Sequence, residues 1–263
     1  MDPRPVGIFD SGVGGLSILR EFQRLAPRER VVYFADTAHF PYGPRDPGEV
    51  RKRAFAAARR LLEADAKLII VACNTASAAA IADLRELFPV PFVGMVPAVK
   101  PATLASKSKH VAILATPGTL DGDLYAAVVD EFGRGVRIDS VPGHELAELV
   151  ERGEGATAHA REAVRASLAG PVAAGADTVV LGCTHYEFLA GAITAEFPAV
   201  NVVGSGEPVA RRAQALLAEL DIEASADAEG ALDLIVSGNR AAFLEVLPRL
   251  GFAAKQPATE ASR

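Results

Sequence analysis

The sequence predicts an α/β protein of two lobes with similar architecture, each carrying a mostly parallel sheet flanked by helices. Three observations predict it. Short Val- and Ile-rich runs alternate with segments of helical period. Several runs are apolar at consecutive positions, the pattern of parallel strands buried on both faces. The second half of the chain also echoes the first. LIIVACNTASA (Leu68–Ala78) returns as TVVLGCTHYEF (Thr178–Phe188), and VGIFDSGVGG (Val6–Gly15) returns more loosely as VAILATPGT (Val111–Thr119). The step from Cys73 to Cys183 nearly equals that from Val6 to Val111, and it is far too long for a solenoid repeat.

Taken in order, strands are expected at Val6–Phe9, Val31–Ala35, Leu68–Ala72, Phe92–Met95, Val111–Ala115, Val136–Val141, Thr178–Leu181 and Asn201–Val203. Helical periodicity marks Leu16–Leu25, Glu49–Glu63, Ser77–Leu87, Leu120–Glu131, Ala156–Ala169 and Glu207–Leu220. Alternation of this kind implies βαβ units. The first lobe is expected to take residues 1–97 and about 207–252, with Leu232–Val236 and Arg240–Leu250 adding a strand and a helix. Residues 98–206 make the second lobe. Residues 253–263 are polar and rich in small side chains, and read as a disordered tail.

Composition excludes several classes. A chain of 263 residues that is 50% hydrophobic and 23% charged is ordinary for a globular protein with a sizeable core. Net charge is −6, with no dense Lys/Arg block, so nucleic-acid and anionic-membrane partners are not favoured. MDPRPVGIFDSG lacks the apolar segment of a secretory signal, and no apolar run reaches the ~18 residues of a membrane span. A cytoplasmic protein is expected. Two cysteines are too few for a disulfide framework, so they are buried filler or chemistry.

Asp10-Ser11-Gly12-Val13-Gly14-Gly15 follows a strand and precedes a helix. Glycines there allow a tight turn and close approach to a ligand, and the helix start favours an anion. The spacing is neither a dinucleotide fingerprint nor a P-loop. A small ligand with both carboxylate and ammonium fits better, with Asp10 meeting the ammonium or assisting proton transfer. Simple turn or cap duty is the alternative for Asp10 and Ser11. In ADTAHFPYG (Ala35–Gly43), Tyr42 and Gly43 lie at a strand's carboxyl end and could offer a wall and a backbone donor. His39 stands alone and fits a surface or structural role better than metal ligation.

Cys73-Asn74-Thr75 and Cys183-Thr184-His185 each follow a buried strand where a helix begins. A helix start favours thiolate over thiol. Asn74, Thr75 and Thr184 can cap that helix or donate to a carboxylate, and His185 can share a proton with Cys183. Matched thiols on two lobes suit racemisation: one removes a proton from one face of a carbon while the other delivers a proton to the opposite face. The usual close Cys pairing of zinc sites is missing, as is a C-x-x-C redox motif. A Cys183–His185 nucleophile would leave the second cysteine motif unexplained.

Together FDSGVGGL (Phe9–Leu16), ADTAHFPYG, ACNTASA (Ala72–Ala78) and GCTHY (Gly182–Tyr186) resemble the glutamate racemases of bacteria, over roughly Val6 to Phe252. The resemblance implies two lobes with the active site in the cleft between them, no pyridoxal phosphate or metal, and conversion of L- to D-glutamate for peptidoglycan. It implies Cys73 and Cys183 as the acid/base pair, assisted by Asp10 and His185. Asp10, Ser11, Tyr42, Gly43, Asn74, Thr75, Thr184 and His185 match substrate-binding positions, and Glu151 in LVERG matches a Glu near the site. Members commonly pair, so a homodimer is an open expectation with no legible interface. Two departures stand out: Glu187 where the family usually has Pro, and Met95-Val96-Pro97-Ala98 in place of an acidic segment. The alternatives are a racemase for aspartate or another amino acid, a one-thiol decarboxylase or isomerase, and a non-catalytic binding protein for small acidic ligands.

Overall fold

The computed structural model describes residues 1–252, so the expected tail at 253–263 lies outside the described residues. The first sheet is built from β1 (Val6–Asp10), β2 (Val31–Ala35), β3 (Leu68–Val71), β4 (Phe92–Val93) and β9 (Leu232–Val236). The second is built from β5 (His110–Ala115), β6 (Arg137–Pro142), β7 (Thr178–Gly182) and β8 (Asn201–Val203). Every recorded strand pair is parallel. The orders are β4-β3-β1-β2-β9 and β6-β5-β7-β8. The second therefore repeats β2-β1-β3-β4 of the first, which is the structural content of the sequence echo.

Around them pack α1 (Leu16–Leu25), α2 (Pro47–Glu63), α3 (Asn74–Leu87), α4 (Val99–Ala105), α5 (Pro117–Leu120), α6 (Asp123–Phe132), α7 (Leu146–Glu151), α8 (Ala158–Ala173), α9 (Ala190–Glu196), α10 (Gly206–Glu219) and α11 (Arg240–Val246). Short 3₁₀ turns occupy Thr37–His39, Thr184–Leu189 and Leu247–Leu250. The stretch read as one helix over Leu120–Glu131 is two, parted at Asp121-Gly122. No helix is long and apolar enough to cross a membrane, among the described residues.

Parallel strands covered by helices on both faces explain the unbroken apolar runs. All residues of β1, β2, β3 and β5 are buried. Alternate side chains enter opposite layers: Val6, Ile8, Tyr33, Leu68 and Ile70 join one cluster, and Phe9, Val32, Phe34, Ile69 and Val71 join another. The first of these clusters continues into the second lobe through Leu146, Leu149, Val179 and Leu181. Burying one such side chain stabilises by roughly 1.5–3 kcal/mol, and Ile70→Ala would cost about 2–5 kcal/mol through the cavity it leaves. Local chemistry sets the helix ends. Pro47 opens α2, whose cap Asp46 accepts from the Gly48 and Glu49 amides at 2.8 and 3.3 Å.

Candidate active site

Two turns of near-identical backbone leave equivalent strands. Cys73 precedes α3 with φ −144° and ψ 120°, and Cys183 precedes the 3₁₀ turn Thr184–Leu189 with φ −143° and ψ 138°. Both thiols are buried, at 6% and 8% exposure, and both are free. Each stands at the carboxyl edge of its sheet, where open α/β sheets bind ligands. They are near enough that charge on Cys183 works to raise Cys73.

The surroundings differ. Cys73 Sγ accepts the Ala76 amide at 3.4 Å, in the cap position of a 14-residue helix. Burial pushes the Cys73 thiol well up, and the Asp10 carboxylate adds to this against the amides of Ala76 and Thr75. Cys183 Sγ lies 3.7 Å from His185 Nδ1. His185 Nε2 in turn meets Glu151 Oε1 at 2.6 Å. Burial works against a charged His185, but the hydrogen bonds to Cys183 and Glu151 outweigh it and raise the imidazole well above its ordinary value. Asp10 is fully buried, and burial pushes its carboxyl up despite the nearby His185 and the Gly12 amide.

The glycine loop serves the meeting of the lobes. Its glycines keep negative φ, so what they supply is space. A Cβ on Gly12 would overlap the Glu151 carboxylate, and one on Gly14 would overlap the His185 ring and the Thr184 hydroxyl. One on Gly15 would come within 2.7 Å of Asp10 Cβ. The Val13 amide donates to Glu151 Oε1 at 2.6 Å, and Thr184 Oγ1 donates to Asp10 Oδ2 at 3.3 Å. Asp10 also accepts the Gly12 amide at 2.8 Å, a turn within the loop, and α1 follows its N-cap residue Gly15 with no side-chain cap. Ser11 is buried beside it.

The remaining candidates lie on the Cys73 side of the junction. Among the described residues, neither polar atom of the buried Asn74 side chain has a hydrogen-bond partner. An amide left so costs about 1–3 kcal/mol. Thr75 Oγ1 lies 2.9 Å from Thr116 Oγ1, which lies 3.0 Å from Thr119 Oγ1. The Gly118 amide donates to the Gly43 carbonyl at 3.1 Å, and a Cβ on Gly43 would press on Thr116 at 3.0 Å. A cavity of about 220 Å³ opens beside these residues, lined by Arg45, Thr75 and Asp121 among others. The Tyr42 hydroxyl donates to Asp36 Oδ2 at 2.6 Å, so Tyr42 can offer only its ring and backbone. Ser237 and His39 also bond Asp36, at 2.7 and 2.9 Å. Burial works to raise Asp36, but those three hydrogen bonds outweigh it and hold the carboxyl below its usual range.

The structure thus brings Asp10, Ser11, Cys73, Asn74, Thr75, Glu151, Cys183, Thr184 and His185 to one junction, with Tyr42 and Gly43 at its rim. His39 is a structural partner of Asp36. Thr116, Thr119 and Asp36 were not singled out from sequence. The echo of VGIFDSGVGG in VAILATPGT was the signal for the first two. Among the described residues no group of three or more His, Cys, Asp or Glu is disposed to hold a metal ion.

Comparison with known proteins shows what the chain is similar to. Residues 13–232 match the family described as Asp/Glu/hydantoin racemase. The glutamate racemase of Deinococcus radiodurans is 45% identical over 249 residues, covering 94% of this chain and 86% of that protein. The crystal structure of the RacE1 glutamate racemase of Bacillus anthracis superposes with a TM-score of 0.87 at 30% identity, covering 96% of both chains. Escherichia coli glutamate racemase, solved with L-glutamate and the activator UDP-MurNAc-Ala, gives a TM-score of 0.83 at 34% identity, covering 95% of this chain and 96% of that one.

Proposed function

This chain belongs to the Asp/Glu/hydantoin racemase family, and from that premise we propose that it racemises glutamate without a cofactor, using Cys73 and Cys183 as opposed acid and base. The observation that carries the reading is the pair of equivalent cysteine turns, one per lobe, meeting at a single buried junction.

The chemistry follows from the geometry. One sulfur, as thiolate, takes the α-proton; the Cα–H bond breaks and an S–H bond forms. The other, as thiol, gives its proton to the opposite face of the carbanion-like centre; its S–H bond breaks and a new Cα–H bond forms. Thiol and thiolate have then exchanged places, and proton exchange with solvent resets them. The roles reverse with direction.

The α-proton is weakly acidic, so the α-carboxylate needs donors that bear on the developing charge. Asn74 with its unpartnered amide, Thr75 and the Thr184 backbone amide supply them. Ser11 and the Tyr42-Gly43 backbone face the rest of the substrate, with Thr116 and Thr119 at the rim. Asp10 sits on the Cys73 side to assist transfer or meet the ammonium. His185, backed by Glu151, receives and returns the Cys183 proton. With both thiols nearly inaccessible, the lobes part to admit substrate. Supplying D-glutamate for peptidoglycan is the cellular role this activity implies.

The test uses purified protein, L-glutamate and L-aspartate in separate polarimetry assays with no added cofactor. Rapid loss of rotation with glutamate and little with aspartate is expected. Faster turnover of aspartate would reassign the substrate, and no turnover of either would favour a binding protein.

A further inference from the structure

We propose that Glu187 is a positioning residue that holds the His185-bearing turn against the crossovers between the lobes and so keeps the cleft closed. The proposal rests on the racemase reading for its consequence, though not for its geometry.

The chain passes between the two sheets twice. It leaves the first after β4 through residues 94–98, and it leaves the second after β8 through Gly204-Ser205 into α10, which packs on α1. The two crossovers are tied to each other, because Ser205 Oγ donates to the Val96 carbonyl at 3.3 Å. Glu187 joins them to the catalytic turn. Its Oε1 accepts the Ser205 amide at 2.8 Å and the Gly206 amide at 3.3 Å. These are the N-cap amide and the first amide of α10, where a carboxylate is also favoured by the helix dipole.

The fit is close on both sides. A Cβ on Gly204 would collide with the Glu187 carboxyl group. Glu187 shares its 3₁₀ turn with Thr184 and His185. The same turn is braced from the first lobe by Ser17, whose hydroxyl donates to the Gly14 carbonyl at 2.8 Å and lies 3.3 Å from the Thr184 carbonyl. A carboxylate on the second lobe's catalytic turn therefore grips the segment about which the lobes would rotate. Opening the cleft must strain or break that grip.

The two cysteines give a direct readout. They are the chain's only thiols, and both are buried in the closed cleft. Alkylation by iodoacetamide, followed at each cysteine by peptide mass, therefore reports cleft opening without reference to activity. Glu187→Ala should raise the labelling rate of both thiols about tenfold, the population shift expected when two hydrogen bonds favouring one state are lost. Glu187→Gln keeps an acceptor oxygen for the two amides and should label at close to the wild-type rate. Ser205→Ala removes the tie between crossovers and should raise labelling severalfold, which keeps the test available if Glu187→Ala folds poorly. Asp177→Asn controls for general destabilisation. It weakens a carboxylate that accepts from Ser106, Lys107 and Ser108 at the amino end of the interior strand β7, and it should leave labelling unchanged. Wild-type labelling in both Glu187→Ala and Ser205→Ala would overturn the proposal. So would equal acceleration in Asp177→Asn, or no rescue by Glu187→Gln. Fast labelling in an active or inactive protein alike leaves the glutamate assignment to its own assay.

Discussion

The Cys73 turn and the Cys183 turn are built alike and equipped differently. Val6 pairs with Leu68 as Val111 pairs with Thr178. Carried along that correspondence, Cys73 falls on Cys183 and Asn74 on Thr184. Asp10, however, falls on Ala115, and His185 falls on Thr75. The lobes share a scaffold that delivers a cysteine to the junction, while the buried Asp10 carboxyl group and the His185 imidazole each exist in one lobe only. Cys73 has a fully buried carboxyl group nearby and a true helix behind it. Cys183 has an imidazole on a six-residue 3₁₀ segment, backed by a carboxylate whose side chain is 17% exposed. A racemase needs two faces of similar reach. It does not need two identical bases, only two that each match their own proton transfers.

The strongest way to break this comparison is to remove either thiol. Cys73→Ala and Cys183→Ala should each lower racemisation by about 10³-fold or more with the fold retained, on the scale of a lost acid–base group. Near wild-type racemisation in either variant would end the two-base account.

The assistants come next. His185→Asn should lower kcat by roughly 10²-fold, and Glu151→Gln by about 10-fold, since Glu151 acts through His185. The His185 imidazole also carries a stability consequence. Its folded pKa is raised, so its contribution is fully present below the ordinary imidazole value of about 6.5 and is lost as pH rises through the folded pKa. The Tm deficit of His185→Asn should therefore be larger at pH 6 than in alkaline solution, and a deficit growing with pH would contradict the charge assigned to the imidazole.

Asp10 carries the opposite stability consequence. Burial raises its folded pKa, so native stability falls once pH rises above the ordinary aspartate value of about 3.9. Asp10→Asn should cost activity yet raise Tm at neutral pH, with the gain vanishing in acid. A lower Tm at neutral pH would show that the carboxylate is held by its hydrogen bonds more than it is penalised by burial. The smallest effect is expected at the rim, where Thr116→Val should raise KM a few-fold with kcat nearly kept. A large fall in kcat instead would move Thr116 from the rim to the reacting centre.

Much of this was legible in the sequence because burial on two faces leaves consecutive apolar residues in β1, β3, β5 and β7, and because the cysteine motifs repeat. The short helices α4, α7 and α9 were not read. Their six or seven residues are too few to show a period, and α7 begins only after Glu145 takes a left-handed φ of 50°. The use of Gly12 and Gly14 was also hidden. A glycine loop reads locally as a ligand cradle, and only the assembled lobes show the space filled by Glu151 and His185. Asp36 was passed over for the same reason, since its partner Ser237 lies on the far side of the sequence.

The most direct test of opposed thiols follows early turnover of L-glutamate in D₂O by NMR. A thiol holds a single proton, so the sulfur that removes the α-proton can return only that proton until solvent replaces it, while the other delivers deuterium. The account predicts that newly formed D-glutamate carries α-deuterium while the remaining L-glutamate stays protiated. Deuterium appearing equally in both from the outset, or protium retained in the product, would show a single base serving both faces.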